Sequence, residues 1–137
     1  MNIVGIDLGT TYCAIAYLDQ TGKACVQPVK DGRLLPSLIY CDTENDNDLL
    51  VGQIAEGMAS QQPENVAGNF KRHMGKGSLI KIHDMEFTPK ALSSVVLKKL
   101  KQDFEAAVGP IGTAVITVPA HFEAEARQAT LEAARLA

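Results

Sequence analysis

The alternation of hydrophobic and polar positions predicts an α/β chain that opens with strands. Residues 2–8 form a short run whose alternate positions make an apolar face, which predicts a buried strand. Two more apolar runs of strand length, 12–18 and 24–29, follow after turn residues. Because no helical pattern separates the first two runs, this meander disfavours a dinucleotide-binding βαβ start.

The middle of the chain predicts shorter elements. Gly52 opens a short amphipathic helix, and FKRHMG (70–75) predicts one or two basic helical turns. Short strands are expected at 37–40, 49–51, 79–82 and 85–87, the last two forming a hairpin.

Two longer helices and one more strand are predicted in the last third. Residues 89–108 have apolar positions at helical spacing, with Thr88 as the N-cap and Pro89 in the first helical position. Residues 113–118 predict another buried strand. A helix from about Glu123 is still running at the last residue, so we expect the sequence to be part of a longer protein.

The composition is that of one soluble globular domain, since the 137 residues are 46% hydrophobic and 21% charged. The formal net charge of −3 disfavours general binding to nucleic acids or anionic membranes, both of which attract excess positive charge. The sequence shows neither a secretory signal nor an apolar stretch of membrane-spanning length. We therefore expect a cytoplasmic protein whose three cysteines are reduced and buried.

One short segment carries candidate chemistry: Asp7-Leu8-Gly9-Thr10-Thr11, at the turn between the first two predicted strands. Glycine lets the backbone approach a ligand closely, and successive turn N–H groups form a nest for phosphate oxygens. The threonines add hydroxyl donors, and Asp7 is placed to hold the water shell of a Mg²⁺ ion. An ordinary hairpin turn is the alternative interpretation of these five residues.

Other patterns of known chemistry fail. The Walker A, GxGxxG, GxSxG and HExxH motifs are absent from the sequence. The wide spacing of the three histidines disfavours a metal site built from them.

The segments IVGIDLGTTYCAIA (3–16) and AVITVPAHFEAEARQAT (114–130) resemble two signatures of the heat shock protein 70 (DnaK-type) chaperone family, within the actin-like ATPase superfamily. The stretch between Gly75 and Phe87 is short, which resembles the short specialised bacterial members such as HscC. His121 and Glu123 depart from the residues usual in the family. The blocks between the two signatures follow in family order: LLPSLIY (34–40), VGQIAEGMASQQPEN (51–65), NFKRHMG (69–75) and FTPKALSSVVLKKLK (87–101).

The resemblance implies an α/β, actin-like ATPase (ribonuclease H-like) half-domain, with a mixed β-sheet, flanking helices and a small α/β insertion. Residues 1–36 and 110–137 would form part of subdomain IA, and residues 37–109 the subdomain IB insertion. Asp31-Gly32 is the only Asp-Gly pair in the sequence and no Thr follows it, so we expect the family's second phosphate hairpin to lie outside this sequence.

The resemblance also implies a nucleotide site for ATP or ADP, with Mg²⁺ and potassium. Asp7 would hold the metal through a bound water, Arg72 would help to close the cleft, and Pro119 and Arg127 would relay the nucleotide state. The phosphate-binding residues would be Gly9, Thr10, Thr11 and Tyr12, and the catalytic residues Lys71, Asp7 and Thr11. From the residues alone, a basic exposed turn containing Lys71, Arg72 and Lys76, a strand-ending Pro119 and a solvated Arg127 are the alternatives.

The function that the resemblance implies is ATP hydrolysis by a bacterial chaperone that couples it to binding and release of unfolded polypeptides. The implied partners are client polypeptides, a J-domain co-chaperone and a nucleotide exchange factor, with no nucleic acid and no membrane. A sugar kinase of the same superfamily shares the GIDxGTT opening, but VPAHFEAEARQAT and FKRHMG disfavour it. Intact Asp7, Thr10, Thr11 and Lys71 disfavour a non-hydrolysing scaffold. We expect the 137-residue chain alone to be inactive.

Overall fold

A computed structural model describes residues 1–30, 32 and 34–137 of the chain, so Asp31 and Arg33 lie outside the described residues. The strands are β1 (Asn2–Leu8), β2 (Tyr12–Leu18), β3 (Ala24–Gln27), β4 (Leu35–Pro36), β5 (Ile39–Asp42), β6 (Asp48–Val51), β7 (Val66–Ala67), β8 (Ile80–Ile82), β9 (Met85–Phe87) and β10 (Ile111–Thr117). The helices are α1 (Gln53–Met58), α2 (Pro89–Ala107) and α3 (Ala124–Leu136), with 3₁₀ turns at Pro63–Asn65 and Phe70–His73.

The main sheet is mixed and has the order β10-β1-β2-β3, with β4 paired to the first two residues of β2. Strands β1 and β2 form the predicted antiparallel hairpin, in which Leu8 lies opposite Cys13. Strand β10 runs parallel to β1, and this register places Thr117 beside Asp7. The last residues of β1, the turn that follows them and the last residues of β10 therefore meet at the same end of the sheet.

The segment between β4 and α2 forms two smaller sheets. One has the order β6-β5-β7, and the other is the β8–β9 hairpin predicted from the sequence. The strand expected at 37–40 begins later, at Ile39, because Ser37 turns back onto the first hairpin. The strand expected at 24–29 ends at Gln27.

Helix α2 begins and ends as its sequence predicts. The Thr88 hydroxyl oxygen accepts a hydrogen bond from the Ala91 N–H at 3.1 Å, and Pro89 occupies the first turn, where a missing N–H costs nothing. Gly109 follows the helix with φ +136°, a conformation that favours glycine. The buried side of the helix includes Leu92, Val96, Leu100 and Phe104.

The core lies on one face of the main sheet only. The inward side chains of β1 and β2 pack with α2 and with Ala133 of α3 in one continuous cluster. The opposite face, here called the bare face, exposes large apolar side chains: Ile3, Leu18, Val26 and Val115. The prediction of a buried strand at 113–118 is therefore wrong, because β10 lies at the edge of the sheet and most of its residues are exposed.

The cysteines are free thiols, as expected, but they differ in burial. Cys13 and Cys41 are buried, whereas Cys25 is half-buried, which corrects the expectation for that residue. Across the described residues, none of the helices combines the length and the apolar character needed to cross a bilayer.

Candidate functional site

The turn between β1 and β2 is open to solvent and tightly folded. Thr11 and Tyr12 are exposed, and Gly9 and Thr10 are half-buried. A Cβ atom on Gly9 would collide with the Tyr12 carbonyl oxygen, so this position requires glycine. The predicted phosphate-binding residues Gly9, Thr10, Thr11 and Tyr12 thus lie at the accessible end of the hairpin.

Asp7 is the last residue of β1 whose side chain lies on the bare face. It is next to this turn, and its side chain is exposed. The Thr117 hydroxyl donates to Asp7 Oδ1 at 3.4 Å and approaches the Ile6 carbonyl oxygen at 3.5 Å. These contacts hold the carboxylate at the mouth of the turn. A threonine at the end of an apolar strand gave no signal of this role, because the contact depends on the parallel pairing of β1 with β10.

Lys71 is buried, with 5% of its surface exposed, although it lies in a basic 3₁₀ turn. Its Nζ donates to the Leu8 carbonyl oxygen and lies 5.9 Å from the centroid of the Phe122 ring. The side chain therefore crosses to the hairpin, and its ammonium contacts the residue just before Gly9. Arg72 and Lys76 are exposed, so the alternative of a basic exposed turn is wrong for Lys71 alone.

The environment of the Lys71 ammonium changes its proton affinity. Burial lowers the pKa of Lys71, because the interior disfavours the charged form. The nearby negative charge of Asp7 acts in the opposite direction and keeps the ammonium form more favourable. The amine is therefore a desolvated cation beside a carboxylate-bearing turn.

The segment that carries Lys71 is fixed from two sides. The Met74 N–H donates to the Lys71 carbonyl oxygen at 3.2 Å, and the Ser93 hydroxyl of α2 contacts Met74 Sδ at 3.5 Å. A Cβ atom on Gly75 would lie 2.7 Å from the Ala126 nitrogen, so the backbone packs directly on the first turn of α3. Met74, Phe122 and Ala126 form a small separate apolar cluster at this junction.

Pro119 and Arg127 are joined through Phe122. The Phe122 N–H donates to the Pro119 carbonyl oxygen at 3.0 Å, and Arg127 Nε donates to the Phe122 carbonyl oxygen at 3.1 Å. The Phe122 ring also faces Lys71, so one residue links both to the candidate catalytic lysine. The sequence gives no separate signal for Phe122, which is only one letter of a longer signature.

Arg72 lines a cavity of about 320 Å³ whose wall includes none of the turn residues. The cavity is also lined by Lys76, His121, Phe122 and Glu123. His121, which departs from the usual family residue, is exposed there, with its ring packed edge-on against that of Phe122.

Ser37 contacts the turn from the inner side and was not singled out from the sequence. It is 2% exposed. Its N–H donates to the Thr11 carbonyl oxygen and its hydroxyl to the Gly9 carbonyl oxygen, both at 2.8 Å. A single serine after a proline carries no signal of this contact in the sequence.

Comparison with known proteins identifies the class that this fold and turn define. The sequence profile described as Hsp70 protein matches residues 3–79 and 76–137, and the chain therefore belongs to the Hsp70 family. Family membership confirms the expected α/β, actin-like ATPase fold.

Among curated proteins, the chaperone protein DnaK of Cenarchaeum symbiosum (strain A) is 40% identical to this chain over 141 residues. The alignment covers 98% of the chain and 21% of that protein, so the chain spans about a fifth of its relative. These matches give no support to the sugar-kinase alternative.

Proposed function

We propose that the chain is the N-terminal part of the ATP-binding and ATP-hydrolysing domain of a chaperone of the heat shock protein 70 type. The observation that carries this proposal is the burial of the Lys71 ammonium against the glycine turn that bears Asp7. A desolvated cation held beside a tight turn of backbone donors is the arrangement that phosphoryl transfer needs.

Gly9, Thr10, Thr11 and Tyr12 form the cradle for the nucleotide phosphates. The N–H groups and hydroxyls of this exposed turn bind phosphate oxygens, and the missing side chain of Gly9 keeps the turn tight. Thr11 and Asp7 are also proposed as catalytic residues, together with Lys71.

Asp7 fits a hydrated Mg²⁺ ion because its carboxylate is exposed at the mouth of the turn. Mg²⁺ commonly keeps several waters and is bound by one or two carboxylates together with substrate phosphates. Across the described residues, no group of three or more His, Cys, Asp or Glu side chains is gathered to hold a metal directly. Bound Mg²⁺ neutralises charge on the phosphates. Potassium is proposed as a second ion on family grounds alone.

Lys71 is the proposed catalytic cation. Its ammonium lies at the hairpin without an intervening carboxylate ion pair among the described residues, so its charge is directed at the turn. A compact charge on a flexible stem can offset negative charge that develops on the γ-phosphate.

The proposed subdomain boundaries are supported by which elements build the main sheet. We propose residues 1–36 and 110–137 as part of subdomain IA, because they supply the main sheet and α3. Residues 37–109 form the subdomain IB insertion, which joins the main layer through α2.

Pro119 and Arg127 are proposed as the relay of nucleotide state, since both bond to Phe122 beside Lys71. Arg72 directly follows Lys71 in the 3₁₀ turn and is exposed. We propose that it helps to close the nucleotide-binding cleft.

The complete protein would couple Mg-ATP hydrolysis to binding and release of unfolded polypeptides in the cytoplasm. A J-domain co-chaperone and a nucleotide exchange factor are its proposed partners. These proposals rest on family membership rather than on contacts within the chain.

The test uses single-turnover ATP hydrolysis by the full-length protein. Lys71→Ala should leave ATP affinity nearly unchanged but slow hydrolysis by roughly a hundred- to a thousandfold, the scale for losing one preorganised charge-stabilising group. Lys81→Ala, which removes an exposed lysine from β8, is the matched control and should hydrolyse ATP at the wild-type rate. Wild-type hydrolysis in the Lys71→Ala protein would remove Lys71 from the mechanism.

A further inference from the structure

Ser37 holds the phosphate turn from beneath through two hydrogen bonds to its backbone. The Ser37 N–H donates to the Thr11 carbonyl oxygen and the Ser37 hydroxyl to the Gly9 carbonyl oxygen, each at 2.8 Å. Strand β4, which precedes Ser37, pairs with Tyr12 and Cys13 and so fixes the serine at this depth. The carbonyl groups of Gly9 and Thr11 therefore both point towards buried Ser37.

The Cys13 thiol completes this arrangement. Cys13 Sγ lies 2.9 Å from the Ser37 hydroxyl oxygen, and both side chains are buried. Cys13 Sγ also lies 3.8 Å from the Gly9 carbonyl oxygen, so the thiol proton has two acceptors within reach, that oxygen and the Ser37 hydroxyl oxygen. Burial raises the pKa of the Cys13 thiol, which keeps that proton in place. The Gly9 carbonyl group thus faces both Ser37 and Cys13, and the hydroxyl is the nearer of the two donors.

The inward direction of the Gly9 carbonyl fixes the direction of the next N–H. The described peptide bonds are all trans, and in a planar trans peptide the C=O and the following N–H point to opposite sides. With the Gly9 carbonyl held against buried Ser37, the Thr10 N–H faces outward, into the space where a phosphate would bind. A rotation of this peptide would instead present a carbonyl oxygen, which repels an anion.

We propose that Ser37 is a positioning residue of the nucleotide site, which aims the Thr10 N–H at a phosphate by holding the Gly9 carbonyl inward. This inference rests on the proposed function, because it assigns a role towards the same phosphates. It adds a residue outside the turn, 28 positions from Gly9, that decides whether the turn presents a donor or an acceptor.

The first experiment measures ATP and adenosine affinities of the full-length protein by calorimetry. Ser37→Ala should weaken ATP binding by about tenfold, the upper range for one hydrogen bond. Adenosine, which has no phosphate, should bind with unchanged affinity. Thr130→Val is the matched control, since it removes another buried hydroxyl that donates to a main-chain carbonyl, at 2.9 Å within α3. It should leave both affinities unchanged.

The outcomes separate this inference from the proposed function. Equal losses of ATP and adenosine affinity in Ser37→Ala, or no loss of either, would overturn the positioning role. Failure of the wild-type protein to bind ATP would overturn the proposed function itself, and the positioning role with it.

A second measurement avoids substitutions that could impair folding. In the ¹⁵N-labelled wild-type protein, the Thr10 amide proton should shift downfield on addition of ADP and stay in place on addition of adenosine. The inference would be contradicted if ADP changed the amide chemical shifts of other turn residues but left that of Thr10 unchanged.

Discussion

Burial changes what one lysine side chain can do. Most lysines keep their charged ends in water, whereas the Lys71 ammonium is enclosed between the Leu8 carbonyl and the Phe122 ring. Its lowered pKa gives the stability of the chain a dependence on pH that an exposed lysine would not produce.

We expect the stability that Lys71 contributes to increase with pH on the alkaline side. Its folded pKa lies below 10.5, the ordinary lysine value that applies to the unfolded chain. Between the two pKa values the unfolded chain binds more protons, so raising the pH favours folding until it passes the unfolded value. Urea unfolding of wild type and Lys71→Met, compared at several alkaline pH values, measures this difference.

The comparison has a clear control. Lys81→Met removes an exposed lysine and should follow the wild-type pH dependence in parallel. If the free-energy difference between wild type and Lys71→Met stayed constant across the alkaline range, the pKa of Lys71 would be unperturbed and its burial would need revision.

The residues of the site differ in how far the sequence could predict them. Asp7, Gly9, Thr10 and Thr11 lie within five consecutive residues, so their turn chemistry could be inferred from the order of the residues alone. Ser37 and Thr117 are ordinary residues whose contacts arise only when distant strands pair. Phe122 faces Lys71 only because the segment that carries the lysine packs against the start of α3. The direction of the Lys71 side chain was inferable from family resemblance, whereas local composition favoured an exposed turn.

At the level of elements, the junction between the Lys71 segment and α3 depends on one glycine. Gly75 has φ +74° and its missing Cβ allows contact with Ala126, while Gly77 has φ +70° and open space around it. The two positions have nearly the same backbone strain and differ in packing, so the pair separates the two effects.

We expect Gly75→Ala to destabilise the chain by about 1–3 kcal/mol more than Gly77→Ala, the usual cost of overpacking. The forced separation from α3 should also loosen Lys71, which we expect to react faster with an amine-modifying reagent, as followed by mass spectrometry. Equal destabilisation by the two substitutions would show that the contact with α3 adds nothing to strain.

The elements that the sequence predicted well are those with a long periodic pattern or a sharp turn. Helix α2 has both an apolar side and capping residues, β1 alternates along most of its length, and β2 is an apolar run that follows a sharp turn. Strands β4 and β7 have two residues each, too few for any period to appear. The exposure of β10 was mispredicted because an apolar run does not indicate which neighbours cover it.

For the whole molecule, the candidate site lies at the edge of the structure rather than within it. Asp7 and Thr117 end the bare face of the main sheet, and the glycine turn is open to solvent. The groups available to bind a nucleotide are the N–H groups and hydroxyls of the glycine turn and the ammonium of Lys71. They all lie on one side of the position that a nucleotide would occupy.

We therefore expect the 137-residue chain alone to bind ATP weakly and to show negligible turnover. Micromolar affinity needs a binding free energy of about −8 kcal/mol, which one phosphate turn is insufficient to supply. Calorimetry with Mg-ATP tests the affinity, and release of inorganic phosphate tests the turnover. Micromolar binding by this chain would show that its own residues already form a complete nucleotide pocket.

The pairing of β1 with β10 also sets the order in which the protein is assembled during synthesis. Asp7 and Thr117 are 110 positions apart, so the first strand leaves the ribosome long before its parallel partner. At about 5–20 residues per second, the open edge of β1 waits roughly 5–20 s for β10, and an unpaired strand edge invites aggregation in that time. The β1–β2 hairpin can form early, but the carboxylate of Asp7 gains its neighbour Thr117 only at the end of this interval.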